Sequence, residues 1–189
     1  PTTDVTLHGA LRRAYSAGNL SATTDESVYA SADVVVIDIA LDIHFLEDEP
    51  QLQMASLEQA VRSVAQKIPE GSLVVVETTV PPGTCEKVLV PLLGEELQRR
   101  GLDGNAVHLA HSFERVMPGD AYLDSITRFW RVYAGATIEA ADECEAFLAS
   151  FVDVEHFPLM RLSSMTASET AKVMENTYRA ANIAFIDEW

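Results

Sequence analysis

Three short stretches carry side chains whose types and spacing could do chemistry. Residues 77–84 (ETTVPPGT) follow an apolar run, and two prolines and a glycine make the turn rigid. This places the hydroxyls of Thr78 and Thr79 at a strand's carboxyl end, beside a helix N-terminus that favours anions or polarised groups. Residues 111–119 (HSFERVMPG) set Glu114 and Arg115 after a second apolar run and before a second Pro-Gly turn. A carboxylate beside a cleft can act as a general base once it is partly desolvated. In the last stretch, Glu169, Lys172, Asn176 and Arg179 recur at spacings of three and four, which is one stripe of a helix. Lys172 and Asn176 on such a stripe could stabilise an oxyanion. Each stretch also has a plain structural reading: a helix-entry turn with capping hydroxyls, a surface ion pair, and a solvent-facing stripe.

Other candidates are weaker. Cys85 stands near a helix N-terminus, which could lower its pKa, or it is a small buried thiol. Cys144 falls in an amphipathic pattern and reads as core. The histidines at 8, 44, 108, 111 and 156 show no metal-ligand spacing, so no metal site is expected. Asp38 ends an apolar run without an identifiable partner.

The elements that must position these residues alternate. Apolar runs rich in β-branched residues occur at 33–39 (DVVVIDI), 72–77 (SLVVVE), 106–110 (AVHLA) and 131–134 (RVYA). Helical patterns fill the gaps at 5–17, 26–31, 51–67, 84–100 and 139–151. Strands alternating with helices imply parallel βαβ units, and the first two runs read as strands covered on both faces. The Pro69-Glu70-Gly71 stop, Thr84 as a helix cap and Gly101 as a helix end agree with these boundaries. Residues 157–164 leave the sheet and lead into a helix over 165–189, apolar on nearly every face and so expected to be buried. The fold class is therefore α/β, part of a doubly wound parallel-sheet, Rossmann-like domain over 1–160, with the start of a long linking helix over 161–189. None of the glycines forms the GxGxxG spacing that opens a dinucleotide-binding fold.

Composition narrows the partners. The 189 residues are 48% hydrophobic and 22% charged, with a net charge of −16. Nucleic acid and anionic lipid surfaces would be repelled. Basic doublets occur only at Arg12-Arg13 and Arg99-Arg100, so a nucleotide would be held mainly by backbone N–H groups. No apolar stretch approaches the roughly 20 residues that cross a bilayer. The first four residues lack the features of a signal peptide, and two cysteines make no disulfide framework, so a reducing cytoplasm is expected.

Taken in order, the three motifs resemble the UDP-glucose/GDP-mannose dehydrogenase family. ETTVPPGT is similar to its Ser/Thr-Thr-x-Pro-x-Gly-Thr turn, HSFERVMPG to its Ser-Pro-Glu-Arg-x-x-Pro-Gly loop, and ETAKVMENTYRAANIAFIDEW to its central helix, with Ala-Glu-x-x-Lys-x-x-x-Asn as the core. Residues 18–39 resemble the stretch leading to its fourth strand, and ERVMPG is most like the branch oxidising UDP-N-acetyl-mannosamine. The resemblance implies oxidation of a sugar C6 alcohol to a carboxylate with two NAD, through a cysteine-bound thiohemiacetal and a thioester. Thr79 would position the attacking water near the nicotinamide, with Thr78 and Glu114 also at the cofactor. Glu114 would be the general base for thioester hydrolysis and, with Arg115, Lys172 and Asn176, would hold the nucleotide sugar. Lys172 and Asn176 would stabilise the oxyanions. The helix that begins at 165 would build a homodimer. The family's Gly-rich turn and ribose-binding acid are expected before Pro1, and its nucleophilic cysteine beyond Trp189, so this chain alone is expected to be inactive. Ala40-Leu41-Asp42-Ile43 stands where the family has a Pro-Thr-Pro turn, and His111 and Phe113 flank Ser112 in place of the usual residues. A non-catalytic binding module and a 3-hydroxyacid-type dehydrogenase are the alternatives.

Overall fold

The computed structural model describes residues 4–46, 49–117 and 119–189. Residues 1–3 of the amino-terminal stretch and Pro118 of the second motif lie outside the described residues. Helix α1 (Val5–Ser16) starts where the Asp4 carboxylate accepts the N–H groups of Thr6 and Leu7 at 2.8 and 3.0 Å. A 3-10 turn (Glu26–Ser31) leads to β1 (Val34–Ile37), followed by a hairpin of β2 (Ile43–Leu46) and β3 (Glu49–Leu52). Then come α2 (Ala55–Ala65), β4 (Leu73–Val76) and a π turn (Cys85–Leu89) that runs into α3 (Val90–Arg99). The chain continues through β5 (His108–His111), α4 (Tyr122–Thr127), β6 (Val132–Gly135), α5 (Ile138–Ala149), β7 (Met160–Arg161) and α6 (Met165–Glu188).

The sheet order is β1-β4-β5-β6-β7. Strand β4 is buried at all four positions, as its unbroken β-branched run requires of a central strand. Its side chains alternate: Val74 and Val76 join the core under α2 and α3, while Leu73 and Val75 join Tyr133, Cys144 and Leu148 under α5. Gly101, at φ 79°, ends α3, with Leu102 N–H donating to Leu97 O at 3.1 Å and Gly101 N–H to Gln98 O at 2.9 Å.

Several expectations need correction. Strand β1 is not covered on both faces: it ends the sheet, and Val34 and Val36 are 36% and 42% exposed. The strands are not all parallel, since β6 runs antiparallel to β5. Gln51, expected to open a helix, lies in β3, where hairpin pairing prevails over local propensity. The segment 157–164 does not simply leave the sheet, because β7 pairs with β6. Thr84 makes no capping bond; its hydroxyl donates to Pro81 O at 2.7 Å. Helix α6 is buried only near its start, at Met165, Ser168, Glu169 and Lys172. Its 24 residues rise about 36 Å, at roughly 1.5 Å each, and outrun the sheet, so Met174, Tyr178, Ile183, Phe185, Ile186 and Trp189 are exposed.

Candidate functional site

Strands β1, β4 and β5 are parallel and in register, with Ile37 beside Val76 and Val76 beside His111. Their carboxyl ends therefore coincide, and the residues that follow each strand gather at one edge of the sheet. Open α/β sheets bind ligands at such an edge. Thr78 joins two of the strand ends: its hydroxyl accepts from Ile39 N–H at 2.8 Å and donates to Ile37 O at 3.4 Å. Thr79, the next residue, is exposed and borders a cleft of about 420 Å³. Ile39, Leu41, Ile43 and Leu52 form one side of that cleft, with Glu114 and Asp38 among its polar residues. The residues that depart from Pro-Thr-Pro thus supply an apolar wall. A second cavity of about 230 Å³ also borders Glu77 and Glu114 and reaches Arg131 and Tyr122.

Glu114 is half-exposed, and its carboxylate accepts from Val116 N–H. Lys172 comes to the same loop from α6. Its Nζ donates to Glu114 O at 2.9 Å, lies 3.8 Å from Glu114 Oε1, and sits 5.2 Å from the centre of the Phe113 ring. The buried Phe113 therefore supports the ammonium from one side. Thr79 and Glu114 line one cleft, and Lys172 is bonded to Glu114, so three of the four residues expected to converge are brought together. Asn176 follows Lys172 by one helical turn and is exposed, and its side chain makes no hydrogen bond among the described residues. The Thr78 hydroxyl, expected at a cofactor, is engaged inside the protein. Arg115, expected at substrate, instead braces α6: its Nε donates to Glu175 at 2.9 Å, its guanidinium to Trp130 O at 2.8 Å, and it stacks on Phe113 and Phe129.

Three features of the site were not foreseen. Glu77 pairs with the buried Arg131 at 2.8 Å; burial raises the Glu77 pKa, partly offset by Arg131, and Asp38 and Glu114 add to the rise. The signal was visible in retrospect, since a charge closes the run SLVVVE and another opens RVYA. His111, 0% exposed, shares a hydrogen bond of 2.8 Å between its Nδ1 and Ser168 Oγ. Burial lowers its pKa to about 4, so the ring is neutral at ordinary pH. Nothing in the spacing linked position 111 to position 168. Third, Glu169 is fully buried and accepts the N–H groups of Gly83 and Cys85. Burial, and next the Glu169 carboxylate, push the Cys85 thiol far above its ordinary range, which outweighs any effect of the nearby helix start. Burial likewise pushes Cys144 up to about 12. Among the described residues no group of His, Cys, Asp and Glu could hold a metal ion.

The fold and the cleft define a Rossmann-like α/β domain with a ligand site at the carboxyl edge of its sheet. Residues 1–150 match the UDP-glucose/GDP-mannose dehydrogenase family, NAD binding domain. The chain is 34% identical to UDP-N-acetyl-D-mannosamine dehydrogenase of Pyrococcus horikoshii, over 95% of this chain and 40% of that protein. It is 30% identical to UDP-N-acetyl-D-glucosamine 6-dehydrogenase of Pseudomonas aeruginosa, over 98% of this chain and 42% of that protein. The solved structure of the Pyrococcus horikoshii enzyme superimposes with a TM-score of 0.82 at 31% identity, covering 98% of this chain and 41% of that one. The chain belongs to the UDP-glucose/GDP-mannose dehydrogenase family. It spans about two fifths of the length of the curated relatives it matches.

Proposed function

We propose that the complete protein containing this sequence is an NAD-dependent nucleotide-sugar 6-dehydrogenase, which oxidises the C6 alcohol of a UDP- or GDP-sugar to the uronic acid with two NAD. The observation that carries this reading is the joining of Thr79, Glu114 and Lys172 at one sheet edge. NAD, when bound, supplies the hydride acceptor. The cations nearby are engaged, Arg131 by Glu77 and Lys172 by Glu114 O, so the cleft suits the nicotinamide end of the cofactor. The pyrophosphate needs the free N–H groups of a Gly-rich turn, which this sequence does not contain.

The apolar lining at Ile39, Leu41, Ile43 and Leu52 would lie against the cofactor and limit water on that side once it is bound. Thr79 and Glu114 border the same cleft, where the Thr79 hydroxyl would orient a water and Glu114 would take that water's proton. The Lys172 ammonium stabilises negative charge on a substrate oxygen, and Asn176 extends the same helix face toward the sugar. Arg115 acts by fixing the loop that carries Glu114. The exposed apolar length of α6 would be covered in a homodimer. We assign the protein to the cytoplasm, on its two unpaired buried thiols and a net charge that repels anionic surfaces. No helix among the described residues is long and apolar enough to cross a membrane.

The test is NADH yield from the complete protein supplied with UDP-N-acetyl-mannosamine, UDP-N-acetyl-glucosamine, UDP-glucose or GDP-mannose. Two NADH per sugar is expected with one of them. One NADH per 3-hydroxyacid would assign a hydroxyacid-type dehydrogenase, and no turnover with any of these substrates would assign a non-catalytic binding module.

A further inference from the structure

Helix α6 meets the turn after β4 through an exchange of carboxylates. Glu169, 0% exposed, accepts Cys85 N–H at 2.7 Å on Oε1 and Gly83 N–H on Oε2. Both N–H groups lie at a helix start, where amides lack partners within the helix. Gly83 has a φ of 93°, a backbone conformation open to glycine, which helps turn its N–H toward Glu169. In return Glu86, from the π turn, accepts Thr166 N–H at 3.2 Å and the Thr166 hydroxyl at 2.8 Å, at the start of α6. Each helix thus satisfies the amino-terminal groups of the other. The two halves differ in burial: Glu86 is exposed, whereas Glu169 is shut away from water. A buried carboxylate is tolerated only while it is hydrogen-bonded, so the Glu169 contact is the demanding one.

Glu169 and Lys172 are three residues apart on one face of α6. The same face carries Ser168, bonded to His111 on β5. The helix therefore touches the Thr79 turn through Glu169 and the Glu114 loop through Lys172, about 4.5 Å further along at roughly 1.5 Å per residue. A lysine stem is flexible and would not hold the helix by itself, whereas a rigid pair of bonds to backbone N–H groups does.

We propose that Glu169 is a positioning residue: by binding the N–H groups of Gly83 and Cys85 it locks α6 to the Thr79 turn and so sets Lys172 against the Glu114 loop. Glu169 itself does not border the cleft that Thr79 and Glu114 line. Its effect on turnover rests on the function proposed above; its effect on Lys172 does not.

Two readouts need no turnover. In the unaltered protein, the Gly83 and Cys85 amides should exchange slowly with solvent deuterium, as bonded and buried groups do; fast exchange at both would overturn the proposal. In folded Glu169→Gln, one acceptor oxygen becomes an NH₂ that faces an N–H. Acylation of Lys172 by an amine reagent, read by peptide mass spectrometry, should then rise by about tenfold, the effect of losing one charge-assisted bond, while Lys67 stays unchanged. Unchanged Lys172 labelling in folded Glu169→Gln would overturn it. Glu169→Asp keeps both oxygens on a shorter stem and should label between the two. In the complete protein with NAD and its nucleotide sugar, Glu169→Gln should lower kcat by about tenfold and leave KM for NAD within about twofold. An unchanged kcat would also overturn the proposal. Absence of turnover in the unaltered complete protein would count against the proposed function alone, leaving exchange and labelling to decide the role of Glu169.

Discussion

Lowering the pH should weaken this fold through one buried imidazole. His111 is enclosed between the turn after β4 and α6, near Thr78, with Ser168 on its Nδ1 and Phe113 close by. Burial lowers its pKa from the ordinary 6.5 to about 4. Between those values the unfolded chain binds a proton that the folded chain refuses, so stability falls as pH falls through that window. At about 1.4 kcal/mol for each tenfold change in proton affinity, the full effect is about 3 kcal/mol. That is a large share of the roughly 5–15 kcal/mol by which a domain is stable. The assay is urea unfolding from about pH 7 to about pH 4.5, for the unaltered chain and for His111→Gln. The glutamine does not titrate, so the difference between the two curves should shrink or reverse as the pH falls. Carboxylates held low by hydrogen bonds, such as Glu86 and Glu96, contribute equally to both and cancel. Parallel curves, or a His111 resonance that titrates near pH 6.5, would refute the reasoning.

Other perturbations have definite outcomes. Gly135→Ala would put a Cβ at 2.3 Å from Ala141 N and 2.7 Å from Ala140 C, where β6 meets α5; since backbone must yield, a loss of about 2–3 kcal/mol in a thermal melt is expected, and an unchanged Tm would be contrary. Arg131→Met should cost about 3–5 kcal/mol at neutral pH by leaving Glu77 without its partner. Burial raises the Glu77 pKa, so the deficit should narrow as pH falls and Glu77 takes up a proton, and Glu77→Gln in the same chain should restore much of the loss in urea unfolding. Cys85 and Cys144 should both resist a disulfide reagent at mildly alkaline pH until urea unfolds the chain, because burial keeps both thiols protonated; rapid reaction of the folded chain would contradict this.

What the sequence made legible follows from local chemistry. The run at 72–77 read as a strand covered on both faces, and β4 is one, buried throughout; the run at 33–39 carried the same expectation, yet β1 is an end strand with Val34 and Val36 exposed. Its register with β1 and β5 made the motif residues neighbours at one edge, as their placement at strand ends implied. The pairing of β2 with β3 was not legible, because it depends on cross-strand bonds that no helix-period count detects. The direction of β6 was also hidden, since an antiparallel strand and a parallel one carry the same apolar run. Helix α6 shows the limit of periodicity most plainly: its apolar residues lie on every side, yet only its first turns meet the sheet. At the candidate site, the motif resemblance singled out Thr79, Glu114 and Lys172, which lie together in the fold, but not their supports. Glu169 was visible as part of a polar stripe; that it turns inward to two backbone N–H groups is a tertiary fact.

The proposed function requires Thr79, Glu114 and Lys172 to border the place where cofactor and sugar meet. A crystal structure of the complete protein with NAD and a nucleotide sugar bound tests it directly. The nicotinamide should lie against Thr79 and the apolar wall, with the sugar C6 between Glu114 and Lys172. Ligands seated instead at the opposite end of the strands, in the hollow of about 290 Å³ beside Gly71 and Glu143, would contradict it.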